Sequence, residues 1–141
     1  MLLEATKVTK VFGGLYANSE IDFSIDEGEI VAIIGPNGSG KTTFYNVLTG
    51  ISPATSGQIL FQGKSIVHMH PEAITRLGMA RTFQNIRLFG NMTVAENIII
   101  ARHCRRKTGI WDALIRSRRL KLEEAENEEY IRKCLEYVGL Y

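Results

Sequence analysis

Cysteine is scarce in these 141 residues: Cys104 and Cys134 lie thirty positions apart, without Cys-x-x-Cys spacing or a nearby set of histidines. That scarcity argues against a disulfide framework or a zinc site and fits reduced thiols in the cytosol. Long apolar runs are missing as well. No stretch nears the roughly 18 residues of a membrane span, and Met1-Leu2-Leu3-Glu4 puts an acid where a secretion signal carries positive charge. The chain is therefore expected to be neither exported nor membrane-spanning by itself. A one-sided charge is lacking too: 17 Lys and Arg against 15 Asp and Glu leave a formal +2, too little for wholesale nucleic-acid binding. Neither an internal repeat nor a low-complexity tract occurs. What is present, 45% hydrophobic and 23% charged residues, is the make-up of a soluble globular chain, and the length suits one domain.

From Leu2 to Ile34 the pattern predicts short strands. Ala5, Val8 and Val11 are apolar among polar neighbours, and Ile21-Asp22-Phe23-Ser24-Ile25 alternates with period two, as a sheet with one wet face requires. Asp26-Glu27-Gly28 supplies a turn. Ile30-Val31-Ala32-Ile33-Ile34 is continuously apolar, which predicts a parallel strand covered on both faces. Three glycines and a proline between Gly35 and Gly40 break the pattern, and Phe44, Val47 and Leu48 then recur at helical spacing until Gly50, a C-cap. After a loop over residues 52–57, Gln58 to Lys64 reads as a hairpin with a tight turn. Pro71 to Leu77 predicts a helix stopped by Gly78, and Met79 to Phe83 another short strand. Thr93-Val94-Ala95-Glu96 has the spacing of a capping box, opening a helix that runs to about His103.

Charge then changes sign along the chain. Residues 102–121 hold eight basic side chains, Arg102, Arg105, Arg106, Lys107, Arg116, Arg118, Arg119 and Lys121, against Asp112 alone. Residues 122–136 carry six glutamates against Arg132 and Lys133. Glu128 with Arg132 and Glu129 with Lys133 have the favourable i,i+4 orientation, and Ile131, Cys134, Leu135 and Val138 form an apolar stripe. The basic stretch reads first as a solvated helical face, next as a contact with a membrane partner or lipid headgroups, and last as an RNA or DNA patch, since its only aromatic is Trp111. His68, His70 and His103 lack metal-like neighbours in sequence and are read as peripheral.

The segment Gly35-Pro36-Asn37-Gly38-Ser39-Gly40-Lys41-Thr42 satisfies G-x-x-x-x-G-K-[ST], the phosphate-binding loop. Its glycines permit the positive-φ backbone by which successive N–H groups turn inward to form an anion nest. A helix starting near Lys41 adds roughly half a positive charge at its N-terminus, the lysine can reach the β and γ phosphates, and Thr42 offers a hydroxyl to Mg2+. At average residue usage, a chance match in a chain this long has a probability on the order of 0.5%. The apolar run before it and the helical pattern after it are independent of the motif, so the reading as a mere glycine-rich connection loses.

A phosphate loop alone does not choose among a GTPase, a kinase and an ATPase. The flanking segments do. Phe12-Gly13-Gly14-Leu15, Gly28-Glu29 and Gly35 to Thr43 stand in the order found in ATP-binding subunits of ABC transporters, which the N-terminal half resembles. The run Gly78-Met79-Ala80-Arg81-Thr82-Phe83-Gln84-Asn85-Ile86-Arg87-Leu88-Phe89, followed by Met92-Thr93-Val94-Ala95-Glu96-Asn97, looks like the branched-chain amino acid branch of that family. The resemblance covers essentially the whole chain. It implies an α/β P-loop NTPase core with an N-terminal antiparallel β subdomain over residues 1–84, then a Q-loop and the start of an α-helical subdomain over residues 85–141. Gly35, Asn37, Gly38, Ser39, Gly40, Lys41, Thr42 and Thr43 would hold Mg-ATP, with Thr43 at the α-phosphate. Phe12 looks like the aromatic that stacks on adenine; by its residue type alone it could equally be core, and Tyr16 competes with it. Gln84 looks like the Q-loop glutamine that approaches Mg2+ and the attacking water, so Lys41 and Gln84 are the expected catalytic pair and Thr42 and Gln84 the expected metal contacts.

Several of the family's catalytic parts have no counterpart. The Ser-Gly-Gly signature segment, an apolar strand ending in Asp-Glu, the D-loop and the switch histidine would follow the helix that closes near Tyr141, and Asp22, Asp26 and Asp112 are the only aspartates. The expectation is the first part of an ABC ATPase, shortened by truncation, a fragmented gene or the choice of cloned segment, with weak nucleotide binding and negligible turnover. The resemblance further implies transmembrane permease subunits and a second ATP-binding subunit as partners, no nucleic acid, and a cytoplasmic position on the inner face of the membrane. Two rivals stay open: a soluble ABC-type ATPase acting on ribosomes or nucleic acid through the basic stretch, and an inactive fragment that binds only protein partners.

Overall fold

The computed structural model describes residues 1–83, 88–102 and 118–140. Gln84, His103, Cys104, Trp111, Asp112 and most of the basic stretch lie outside them. Contacts divide the chain into two units, Met1–Arg81 and Thr82–Tyr141.

The first unit is built on an antiparallel sheet in the order β2-β1-β3-β4, with β1 Leu3–Phe12, β2 Leu15–Ile25, β3 Ser56–Phe61 and β4 Lys64–Ser65. Against it lie α1 (Lys41–Leu48) and α2 (Pro71–Arg76). Leu3, Ala5, Val8, Ile59 and Phe61 from the sheet meet Phe44, Val47 and Leu48 from α1, with Ile66 and Ile74, in one core. The Phe23 ring meets Phe44 edge-on at 5.6 Å between centroids. Ile21, Phe23 and Ile25 turn inward while Asp22 and Ser24 stay exposed, the wet-faced alternation expected of β2.

One spacing defies simple alternation. Ala5 and Val8 are both buried although three residues apart, which would place them on opposite faces of a regular strand. A register shift between them, with Lys7 at φ 48°, supplies the extra residue that restores the face. The Lys7 N–H donates to Asp22 Oδ1 at 2.7 Å, so the bulge leaves that amide satisfied.

The tight turn after Phe61 is confirmed. Phe61 pairs with Lys64 across two residues, Gln62 at φ 50° and Gly63 at φ 73°, the doubly positive turn that matches strand twist. α1 ends with the Gly50 N–H on the Val47 carbonyl at 3.2 Å and Gly50 at φ 72°, as expected of its cap. α2 carries Pro71 in its first turn, as expected, and the chain leaves it at Gly78.

Two expected strands are not formed. Residues 30–34 join no sheet: Ile30 is 99% exposed and Ile34 90%, and of the run only Ile33 packs against the core. A strand covered on both faces needs hydrogen-bonding neighbours on each side, and no described strand pairs with this one. Residues 79–83 likewise have no ladder partner among the described residues; Arg81 ties them to α1 instead, through Nη1 to Asn46 Oδ1 at 2.7 Å and to Thr49 Oγ1 at 3.2 Å.

The second unit contains α3 (Val94–Arg102) and α4 (Arg118–Tyr137). The capping box is present: the Thr93 N–H donates to Glu96 Oε2 at 2.7 Å, and the Glu96 N–H to Thr93 Oγ1 at 3.2 Å. Arg102 links the helices, with Nη1 donating to the Glu126 carbonyl at 3.0 Å and the guanidinium 4.9 Å from the Tyr130 ring centre. On α4, Glu129 and Lys133 form the expected ion pair at 2.7 Å. The apolar stripe is half-buried at Ile131, Cys134 and Leu135, but Val138 is exposed. Among the described residues no helix is long and apolar enough to cross a membrane.

Candidate functional site

The glycine-rich segment connects residues 30–34 to α1, and its shape follows from two residues in the left-handed region. Gly38 has φ 84° and Gly40 has φ 85°. Side chains pay for that conformation, glycine does not, and the loop turns back on itself: the Ser39 N–H donates to the Pro36 carbonyl at 3.3 Å. Gly40 serves as the N-cap of α1 and its carbonyl accepts the Phe44 N–H at 2.9 Å, closing the first helical turn.

That helix start is open to an anion. No described side chain caps it and no acid lies in its first turn, so the amides of Lys41, Thr42 and Thr43 keep no partner within the helix. With the partial positive charge of the helix end, they form the donor set that a phosphate needs. Phe44, Val47 and Leu48 anchor the helix in the core, which fixes where these amides stand.

Lys41 folds back over the loop. Its Nζ donates to the carbonyls of Gly35 at 2.7 Å and Pro36 at 2.6 Å, with Ser39 Oγ at 3.5 Å. A Cβ on Gly35 would lie 2.9 Å from that Ser39 Oγ, so the loop closes tightly there. Gly35, Ser39 and Lys41 are thus brought together and Gly40 heads the helix, with Asn37 exposed at the turn, Thr42 exposed on the first helical turn and Thr43 half-buried beside it.

Phe12 ends β1 and is 51% exposed, which sets it apart from the core. The Lys10 ammonium sits 4.8 Å from its ring centre and donates to the Pro53 carbonyl at 2.8 Å, so one ring face carries a fixed cation. Tyr16, opposite Val11 on β2, is exposed as well. Gln84 lies outside the described residues.

Sequence reasoning missed two buried polar residues that stand behind this site. Lys10 and Asn18 face each other across β1 and β2 and are 9% and 5% exposed. Asn18 Nδ2 donates to the Gly40 carbonyl at 3.2 Å, joining the sheet directly to the loop. No local signal marks either residue, because register shifts on both sides of this rung scramble the alternation that would have shown them facing inward.

The sequence profile of the family described as ABC transporter matches residues 18–140. The high-affinity branched-chain amino acid transport ATP-binding protein BraF of Pseudomonas aeruginosa is 40% identical over 139 residues, covering 99% of this chain and 54% of that protein. The corresponding protein LivG of Escherichia coli K12 is 38% identical over 139 residues, with the same coverage. Among solved structures, a nucleotide-free ATP-binding cassette from an ABC transporter superposes with a TM-score of 0.75 at 33% identity, over 99% of this chain and 54% of its own. The chain spans about half the length of the curated relatives it matches.

Proposed function

This chain belongs to the ABC transporter family, and from that premise we propose that it binds Mg-ATP through Gly35 to Thr43 as part of an ATP-binding subunit that energises import of branched-chain or related amino acids. The observation that carries the reading is the loop itself: positive φ at Gly38 and Gly40, an uncapped helix start and a lysine folded over the same turn. The donors suit a triphosphate. Backbone amides and the Lys41 ammonium offer only N–H groups to the anion, and the exposed Thr42 hydroxyl is a hard oxygen of the kind Mg2+ accepts. The metal, when bound, would neutralise charge on the β and γ phosphates.

Phe12 is assigned to the adenine, since a half-exposed ring at a strand end offers a free π face. Gln84 is assigned to Mg2+ and the attacking water, and Thr43 to the α-phosphate, on family resemblance. The partners assigned on the same ground are a pair of transmembrane permease subunits and a second ATP-binding subunit, which would hold the protein against the inner face of the cell membrane. For this chain alone we propose binding without turnover, because its sequence has no apolar strand closed by Asp-Glu to hold the far side of the metal.

The test is displacement of a fluorescent ATP analogue from the purified chain, with phosphate release followed in the same sample. Mg-ATP displaces the analogue and phosphate stays at background if the reading holds. An analogue that never binds contradicts the site, and turnover abolished by Lys41→Ala contradicts the absence of hydrolysis.

A further inference from the structure

Asn18 is buried in β2, yet its amide is only half satisfied. Nδ2 donates to the Gly40 carbonyl at 3.2 Å, whereas Oδ1 is buried with no hydrogen-bond partner among the described residues. A buried amide oxygen without a partner lowers stability, so an apolar side chain of similar size would serve a purely structural role better. The contact it does make explains its presence. The Gly40 carbonyl accepts from Asn18 and also from the Phe44 N–H at 2.9 Å. Two donors fix that carbonyl, and a planar trans peptide then fixes the next N–H, that of Lys41, in the opposite direction. The carbonyl points along α1 toward Phe44, so the Lys41 N–H points out of the helix start, toward the loop.

The support is stiff. Asn18 faces Lys10 across the β1–β2 ladder, and Lys10 is itself tied to the Pro53 carbonyl at 2.8 Å. β2 also abuts the loop closely: a Cβ on Gly40 would lie 2.1 Å from the Ala17 carbonyl oxygen and 2.7 Å from Asn18 Nδ2. We propose that Asn18 is a positioning residue for the phosphate loop, holding the Gly40 carbonyl so that the Lys41 amide is aimed at the bound nucleotide's phosphates. The inference rests on the Mg-ATP reading above and adds to it a residue that touches no ligand.

The test titrates the purified 141-residue chain and its Asn18→Leu variant with Mg-ATP and with adenosine, and measures thermal unfolding of each without ligand. A single hydrogen bond that aims an amide at an anion is worth roughly three- to tenfold in affinity. The Leu variant is expected to unfold at the same temperature or higher, to lose that factor for Mg-ATP and to bind adenosine as before. Unchanged Mg-ATP affinity in the folded variant overturns the proposal, as does an equal loss for ATP and adenosine, which marks general loosening. Asn18→Val, suited to a strand, gives the same readout if the Leu variant does not fold. Collapse of both assigns the residue to the fold and overturns the proposal too. A wild-type chain that does not bind Mg-ATP defeats the parent reading and this one with it, whereas wild-type binding matched by both variants defeats only the positioning role.

Discussion

The Lys41 ammonium donates to the Pro36 carbonyl at 2.6 Å, so the side chain proposed to grip phosphate is tied to its own loop. On the proposed reading a nucleotide exchanges that neutral acceptor, and the Gly35 carbonyl beside it, for phosphate oxygens, whose negative charge adds direct attraction for the ammonium. These loop contacts are exposed and contribute little to the fold. Lys41→Ala is expected to change stability by no more than about 0.5 kcal/mol, read from thermal or urea unfolding. A large loss would show that the lysine holds the loop together and is not chiefly a ligand group.

Gly38 and Gly40, the two left-handed glycines of this loop, make a matched pair. At Gly38 a Cβ meets nothing within 4 Å, so Gly38→Ala carries only the conformational cost, about 1 kcal/mol. At Gly40 the same φ is joined by a 2.1 Å approach to the Ala17 carbonyl, a collision between backbone and Cβ that no rotamer relieves. Gly40→Ala is expected to destabilise by roughly 3 kcal/mol or more. Urea unfolding of both variants checks this, and equal losses would contradict the close packing of β2 on the loop.

Phe12→Ala is expected to weaken Mg-ATP binding roughly tenfold, the scale of a lost base–aromatic stack. Binding of inorganic triphosphate, which has no base, should be unaffected. Lys10→Met removes the cation 4.8 Å from the ring and should also reduce ATP affinity, by less. If Phe12→Ala binds ATP normally while Tyr16→Ala does not, the exposed tyrosine is the platform.

Two carboxylates in the second unit titrate below the ordinary range. Glu96 is held down by the Thr93 backbone N–H and then by its hydroxyl, and Glu129 by its hydrogen bond with Lys133 and then by that lysine's charge. A depressed folded pKa means that the unfolded chain takes up protons first as pH falls. Their support for α3 and α4 is therefore complete above the unfolded value near pH 4.5 and lost as pH falls through the lower folded values. Acid titration of the helical circular-dichroism signal should show this loss, reduced in Glu96→Gln and Glu129→Gln. The same acid-side loss in both variants would remove these groups from the account.

What was legible in the sequence was local. The phosphate loop, the Gln62-Gly63 turn and the Thr93–Glu96 box each depend on a few adjacent residues, and each has the expected backbone. What failed depended on partners distant in sequence. Ile30 to Ile34 is as apolar as a buried strand should be, but burying each isoleucine, worth about 1.5–3 kcal/mol, requires strands that no described residue supplies. Asn18 was invisible for a related reason. Glu20 at φ 47° and the register shift between Val8 and Lys10 change which face an odd or even position takes, so counting by twos back from Phe23 puts Asn18 on the wet side. The core and the loop's support are thus set by irregularities that alternation cannot show.

The most direct test is a calorimetric titration of the purified chain with Mg-ATP up to millimolar concentration, beside the same titration of Lys41→Ala. The account predicts a saturable, one-site signal for the wild-type chain and an affinity lower by roughly 10- to 100-fold for the variant, the scale of a lost charge-assisted contact. No saturable heat in the wild-type chain, or the same affinity in both, would contradict it.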